Sequence, residues 1–260
     1  MLRNTFIHIP GIGSATEQKI WASGIRTWDD ARDLLGGSPA RAVPSRAKLN
    51  LHVPGSIRAL EKGDAGFFSR LAHFGETWRC YGEFRSQCVF LDIETTGLTP
   101  NYDEVTVVGT YDGKSYKSFV KGRNLSELTK ELQKHAVVVT FNGSGFDLPF
   151  LRPKFAAALP EIHIDLRWTS YKLGYHGGLK EIEPKFGVHR PKRLSGMDGF
   201  DAVVLWDRYR AGNVRALDRL IDYNRADVVG LKTIMEQCYE RLFAERTRSL
   251  LRGRARSAHA

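Results

Sequence analysis

The segment Cys88-Val89-Phe90-Leu91-Asp92-Ile93-Glu94 constrains this chain more than any other. A short apolar run of this kind reads as a buried strand, and a strand's period of two puts Asp92 and Glu94 on one face. Two carboxylates side by side at the end of an apolar strand repel each other, which costs stability unless a cation or hydrogen-bond donors compensate. A divalent metal is the simplest compensation. Taken alone, the pair reads first as a strand end running into solvent, so its meaning depends on what else the chain brings to the same place.

Two further segments carry acids in special settings. In Val139-Thr140-Phe141-Asn142-Gly143-Ser144-Gly145-Phe146-Asp147-Leu148-Pro149 an apolar strand meets a glycine-rich turn and then a helix. Pro149 suits the first helical turn, where its missing N–H has no intrahelical acceptor anyway. Asp147 therefore stands at a helix start just past a strand end, where ligands of α/β sheets gather. By itself it is equally an acid meeting a helix dipole. In Leu220-Ile221-Asp222-Tyr223-Asn224-Arg225-Ala226-Asp227 a Tyr and an Asp stand four apart on a long helix, a spacing that brings both to one face. Any amphipathic helix can show such a pair.

The elements around these segments predict the architecture. Gln87–Glu94, Glu104–Thr110 and Tyr116–Val120 read as three consecutive strands, with Asp112-Gly113 as a hairpin signal between the last two. Helices are expected over Leu125–Lys134 and Leu148–Ala158, strands over Val137–Phe141 and Ile162–Leu166, and mostly helix from Tyr171 to about Phe243. This order predicts an α/β fold, a mixed central sheet flanked by helices. Residues 1–76 read as a small helical domain, 77–245 as the α/β domain and 246–260 as a basic C-terminal tail. In the first domain, glycines at Gly24, Gly36 and Gly37 break helical spacings, Gly36–Ser56 reads as a loop with Pro39, Pro44 and Pro54, and Ile57–His73 as a second helical patch. Phe6-Ile7-His8-Ile9-Pro10-Gly11-Ile12-Gly13-Ser14 leads into a helix from about Thr16 to Ala22. It resembles the hairpin of helix-hairpin-helix modules, which bind DNA backbones; a glycine-rich turn inside a packing domain is the equal alternative.

Charge narrows the partners. Lys and Arg number 39 against 29 acids, a formal net charge of +10 over 260 residues, which favours polyanions through phosphate contacts and counterion release. Three cysteines, Cys80, Cys88 and Cys238, in no C-x-x-C pair argue against a disulfide scaffold or structural zinc. No apolar run approaches the roughly 18 residues of a spanning helix, and the N-terminus lacks a secretory pattern, so the expected address is cytoplasmic with no membrane partner. No G-x-S-x-G, P-loop or dinucleotide fingerprint is present. His163 and Asp165, two apart on a strand, read as local packing and a sheet-end carboxylate. The basic run Lys185–Arg193 reads either as a track for a nucleic-acid backbone or as a solvated loop.

Taken together, the three acidic segments resemble, in order and spacing, the motifs of the DnaQ-like 3'-5' exonucleases of the ribonuclease H-like superfamily, in the branch marked by three Asp, one Glu and a Tyr. Asp92 and Glu94 match the first motif, Asp147 in N-x-x-x-F-D-x-P the second, and Tyr223-x-x-x-Asp227 the third. His163-Ile164-Asp165-Leu166, Gly178-Leu179-Lys180-Glu181-Ile182-Glu183 and Leu205-Trp206 followed by Tyr223-Asn224 narrow the likeness to YprB-type proteins. The resemblance implies a ribonuclease H-like fold and two-metal phosphodiester hydrolysis, with two Mg2+ or Mn2+ ions about 3.5–4 Å apart. It implies that Asp92 bridges the ions, that Glu94 and Asp227 complete one and Asp147 holds the other, and that Tyr223 orients water. It also implies a substrate pocket formed by Thr95, Thr96, Gly97 and Leu98 with Asn142 and Phe146, taking the 3' end of a DNA or RNA strand. Single-stranded DNA is favoured slightly over RNA by the hairpin-like segment. A structure-specific endonuclease and a nucleic-acid-binding module without catalysis are the alternatives.

Overall fold

Ile20 and Trp21 near the end of one helix, Ile25 in the break after Gly24 and Trp28 at the start of the next helix are all buried in the first of two units into which the chain divides. That unit is Met1–Arg85 with the residues from Tyr239 on, and the second is Ser86–Cys238. The structure is a computed structural model that describes residues 1–35 and 43–257, so the break expected at Gly36 and Gly37 and the loop residue Pro39 lie outside the described residues.

In the first unit a three-residue 3-10 turn, Leu2–Asn4, precedes the glycine turn. Helices α1 (Ser14–Ala22), α2 (Trp28–Leu35) and α3 (Arg46–Glu61), a 3-10 stretch Gly66–Phe74 and the short α4 (Tyr81–Phe84) follow. Ile7, Ile9 and Ile12 are fully buried, so the glycine turn is anchored by its apolar residues. Trp28 and Phe68 stack with ring centroids 5.7 Å apart. Helix α3 overturns the loop expected up to Ser56. Leu49, Val53, Ser56 and Ala59 are buried along one stripe, and that packing outweighs Pro54 within the helix. Proline removes the hydrogen bond to the carbonyl four residues back. That carbonyl belongs to Asn50, an exposed residue within reach of water. The second helical patch, expected as one piece over Ile57–His73, is divided between the end of α3 and the 3-10 stretch.

The second unit is built on a five-stranded sheet of order β3-β2-β1-β4-β5. Strands β1 (Cys88–Thr95), β2 (Val105–Tyr111) and β3 (Tyr116–Val120) form an antiparallel meander, and α5 (Leu128–Leu132) leads to β4 (Val137–Thr140). Helix α6 (Asp147–Phe155) leads to β5 (Ile162–Asp165); β4 runs parallel to both β1 and β5. The hairpin between β2 and β3 is longer than a two-residue turn. Tyr111 pairs with Tyr116, and the Asp112 carboxylate accepts the amides of Lys114 at 2.8 Å and Ser115 at 2.7 Å. Helices α7 (Leu166–Tyr171), α8 (Leu179–Ile182), α9 (Gly199–Arg210) and α10 (Val214–Ser257) complete the order. Residues 246–257, read from sequence as a tail, continue α10, and Arg246 pairs with Glu76 at 3.3 Å.

Strand alternation then turns the side chains of β1 to opposite faces of the sheet. Val89, Leu91 and Ile93 pack with Leu128, Leu132, Leu151 and Phe155 on one face of the sheet. Asp92 and Glu94, one residue out of phase, point to the other face. Val107 and Val120 of β2 and β3 join Trp206, Leu217, Leu220 and Tyr223 of α9 and α10 in a second core. A register shift between Glu94 and Thr95 sets Glu94 opposite Val107 and Thr95 opposite Val105. An extra residue of this kind bends the strand, and here it does so where the acids end.

Candidate active site

The first acids are placed by β1, and α10 is brought to them by a missing side chain. Gly109 of β2 lies opposite Asp92. A Cβ there would sit 1.8 Å from Asn224 Oδ1 and 2.9 Å from a Val228 methyl, so only glycine admits the helix at this depth. Asn224, fully buried, spends its amide on the acids: Nδ2 donates to Asp92 Oδ2 at 3.0 Å and to Glu94 Oε1 at 3.3 Å. Its Oδ1 accepts from the Tyr116 hydroxyl at 3.0 Å.

The same helix carries Asp227. Asp92, Glu94 and Asp227 each offer one carboxylate oxygen, all within 4.8 Å of one another. Asp147, at the start of α6, is buried and its Oδ1 has no hydrogen-bond partner among the described residues. The turn before it is held by Asp165, the N-cap of α7, which accepts from the amides of Asn142 at 2.8 Å and Ser144 at 3.1 Å. Asn142 adopts a left-handed φ of 63°, a conformation in which Asn is enriched. His163 bonds Thr140 at 2.8 Å.

Electrostatics follow from this crowding. Burial pushes Asp92 and Glu94 well above the ordinary carboxylate range; Asp227 and Asp147 add to the rise in both, and the Asn224 hydrogen bond opposes it at Glu94. Burial raises Asp147 to about 7, opposed by the backbone amides of Asp147 and Ile93 and assisted by Asp165 and Asp227. Asp227 is raised by burial to about 6, with Arg190 pulling it down. Four carboxylates that resist ionising together, one with an orphaned buried oxygen, form an all-oxygen donor set suited to hard divalent cations. Asp92, Glu94, Asp227 and Asp147 are the residues that could hold such ions.

Two cations limit the excess charge. Arg190 donates to Glu183 through Nε at 2.7 Å and Nη2 at 2.9 Å, and Nη2 also pairs with Asp227. Neither sequence reading of Lys185–Arg193 therefore describes Arg190, which is turned inward between two acids. Lys180 of α8 donates to the Tyr223 hydroxyl at 2.7 Å and to the Met197 carbonyl. Tyr223 is raised above its ordinary value by burial and by Asp227, Glu94 and Asp92, so its phenol stays protonated.

A cleft of about 440 Å3 opens on this cluster, lined in part by Asp92, Glu94, Tyr223 and Asp227. Thr95, Thr96, Gly97, Leu98 and Phe146 also line it. Gly97 belongs to a tight turn whose Cβ position is filled by the Asp103 carboxylate, 2.5 Å away. Leu98 is 82% exposed rather than packed in a core. Asn142 is not among the lining residues; its Oδ1 accepts from Arg167 at 2.8 Å. Phe200, 73% exposed, lines the cleft without having been singled out from sequence. Its signal was the box Asp198-Gly199-Phe200-Asp201, in which Asp198 caps the amides of Phe200 and Asp201 at the start of α9. Gly109, Tyr116 and the hydrogen bonds of Asn224, Arg190 and Lys180 join segments distant in sequence, and no local motif signals them.

No curated protein matches the chain. Similar solved structures include a family B DNA polymerase from the hyperthermophilic archaeon Pyrobaculum calidifontis, at 18% identity over 58% of this chain and 24% of that one, with a TM-score of 0.46. They also include NrnC of Brucella melitensis, at 25% identity over 66% of this chain and 82% of that one, TM-score 0.43. Escherichia coli RNase D, described as an exoribonuclease involved in structured RNA processing, has 20% identity over 71% of this chain and 48% of that one, TM-score 0.43. The chain thus spans about a quarter of the polymerase and about half of RNase D. The model of the RNase_H superfamily, RNase_H_2, matches residues 89–239, which hold every acid of the cluster and more than half of the sequence. By that match the chain belongs to the RNase H superfamily.

Proposed function

We propose that the protein is a divalent-metal-dependent 3'-5' exonuclease that removes nucleotides from the 3' end of a single strand, DNA ahead of RNA. The observation that carries this reading is the convergence of Asp92, Glu94 and Asp227 within 4.8 Å in a cleft, with buried Asp147 beside them. Asp92, Glu94, Asp227 and Asp147 would hold two Mg2+ or Mn2+ ions. Bound there, such ions supply Lewis acidity toward a phosphodiester and its attacking water.

The chain's own residues do the positioning. Asn224 fixes the rotamers of Asp92 and Glu94, a role that partners of metal-binding carboxylates commonly fill. Tyr223 accepts from Lys180, which leaves its phenolic proton free to donate. It therefore orients water or a phosphate oxygen by hydrogen bond and does not act as a base. Leu98 and Phe200, exposed at the cleft, and Phe146 offer apolar faces to the terminal base. The net charge of +10 favours capture of the strand.

A gel assay with 5'-labelled single-stranded DNA and RNA of equal sequence, in Mg2+, Mn2+ or EDTA, tests the reading. The expected result is a ladder shortening from the 3' end, abolished by EDTA, with DNA shortened faster. A single internal cut would make the protein an endonuclease. No cleavage of any strand with either metal, together with retained salt-sensitive binding, would replace the enzyme by a nucleic-acid-docking module.

A further inference from the structure

Helix α10 turns two neighbouring faces to two different cavities. Tyr223 and Asp227 line the carboxylate cleft, whereas Asp222, Arg225, Ala226 and Val229 line a second cavity of about 360 Å3. Spacings of three and four keep the latter residues on one stripe, and moving one residue along a helix rotates the side chain by about 100°. The segment after α8 forms the opposite wall, through Val188, Arg190, Arg193 and Leu194.

The chemistry of this cavity is unlike that of the cleft. Its lining has three arginines against one acid, Asp222, with Val188, Leu194 and Val229 as apolar wall. Arg190 is engaged by Glu183 and Asp227. Arg193 reaches Asp222 at 3.1 Å in a pair whose side chains are 66% and 42% exposed. Exposed pairs of this kind contribute little, so a phosphate can take the guanidinium from Asp222 at little cost. Arg225 is exposed, its guanidinium carbon 5.6 Å from the centre of the Tyr116 ring. Guanidinium forks match phosphate oxygens two at a time. Apolar walls beside them suit the face of a base, and the volume falls within the roughly 300–1,000 Å3 of small-ligand pockets.

From this we infer that the cavity is a second nucleotide-binding pocket. It takes one phosphate, with its base, from the single strand whose 3' end enters the carboxylate cleft. The inference rests on the exonuclease reading for the position of the 3' end; the anion chemistry of the pocket stands without it.

The test is fluorescence anisotropy with a labelled DNA decamer and a labelled dinucleotide in EDTA across a salt series, comparing wild type with Arg193→Gln/Arg225→Gln. Loss of the one phosphate contact should weaken decamer binding about tenfold and reduce the salt slope by about 0.7, the value per phosphate for single strands. Binding of the dinucleotide, too short to fill both sites, should be unchanged. Arg193→Lys/Arg225→Lys should keep the wild-type slope. Equal decamer affinity and slope in wild type and the glutamine variant would overturn the inference, as would equal losses for decamer and dinucleotide. Saturable binding of free thymidine monophosphate that the glutamine variant loses, and that leaves decamer binding unchanged, would overturn the strand and leave a free nucleotide as the occupant. Because the readout is binding, a wild type that cleaves nothing would end the exonuclease reading while the salt slope still decides the pocket.

Discussion

Each unit of the molecule buries a cluster of charged side chains, and the two clusters are built on opposite rules. In the first, Arg79 lies between Glu17, at 3.0 Å, and Glu76, at 2.6 Å. The remaining lone pairs are also met: Glu17 accepts from Thr5 at 2.9 Å and the Phe6 amide at 2.7 Å, and Glu76 from the Trp78 ring at 3.1 Å. Arg246 brings a second guanidinium to Glu76. In the second cluster four acids, Asp92, Glu94, Asp147 and Asp227, stand together, and the guanidinium that pairs with Asp227 is itself divided with Glu183. Asp147 retains an oxygen with no partner among the described residues. A satisfied cluster fixes a fold, whereas an unsatisfied one stores binding capacity for a cation at the expense of stability.

The contrast predicts opposite responses to charge removal. Asp227→Asn and Asp92→Asn should each lower cleavage by at least about three orders of magnitude, since positioned metal ions contribute several kcal/mol to such reactions. Neither should lower the melting temperature of the metal-free protein, because each removes a repelling charge. Single-turnover cleavage and a thermal melt check both halves. Arg79→Met should do the reverse and cost about 3–5 kcal/mol, the usual penalty for leaving buried charges unpaired. Urea denaturation measures that loss, and a cost below that of an ordinary surface substitution would erase the contrast.

Smaller changes sharpen it. Asn224→Leu should reduce metal affinity or activity about 10- to 100-fold, the range for residues that orient metal ligands. A Mn2+ dependence of the rate shifted to higher concentration would separate this effect from misfolding. The pH response should be the mildest and has a definite sign. Asp147, raised to about 7, and Asp227, raised to about 6, ionise less readily in the folded chain than in the unfolded one. Their contribution to stability is therefore fully present below the ordinary carboxylate range and is lost as pH rises through 6 and 7. Melting curves in EDTA should fall between acidic and mildly alkaline buffer, and Mg2+ should reverse the fall.

Much of this site was legible in the sequence because it is encoded locally. Period two placed Asp92 and Glu94 together, the turn Asn142–Phe146 placed Asp147, and the spacing of four placed Tyr223 with Asp227. The strands were readable for the same reason, each being a short β-branched or aromatic run. What was not legible depends on contacts between distant segments. Asn224 looks like a polar helix residue until Gly109 lets it reach Asp92, 132 positions away. Arg190 reads as one cation in a basic run, and only the fold sets Glu183 and Asp227 on either side of it. Helix α3 was hidden because Pro54 and its polar neighbours mask a stripe, Leu49, Val53, Ser56 and Ala59, that is apolar only where it is buried.

The most direct test of the central claim is a Mn2+ titration of the metal-free protein near neutral pH, with free Mn2+ followed by electron paramagnetic resonance. Wild type should deplete free Mn2+ with saturation approaching two ions per chain, and Asp92→Asn should shift the curve to at least about tenfold higher concentration. Identical free Mn2+ with and without protein, or a binding curve that Asp92→Asn leaves unmoved, would contradict the account.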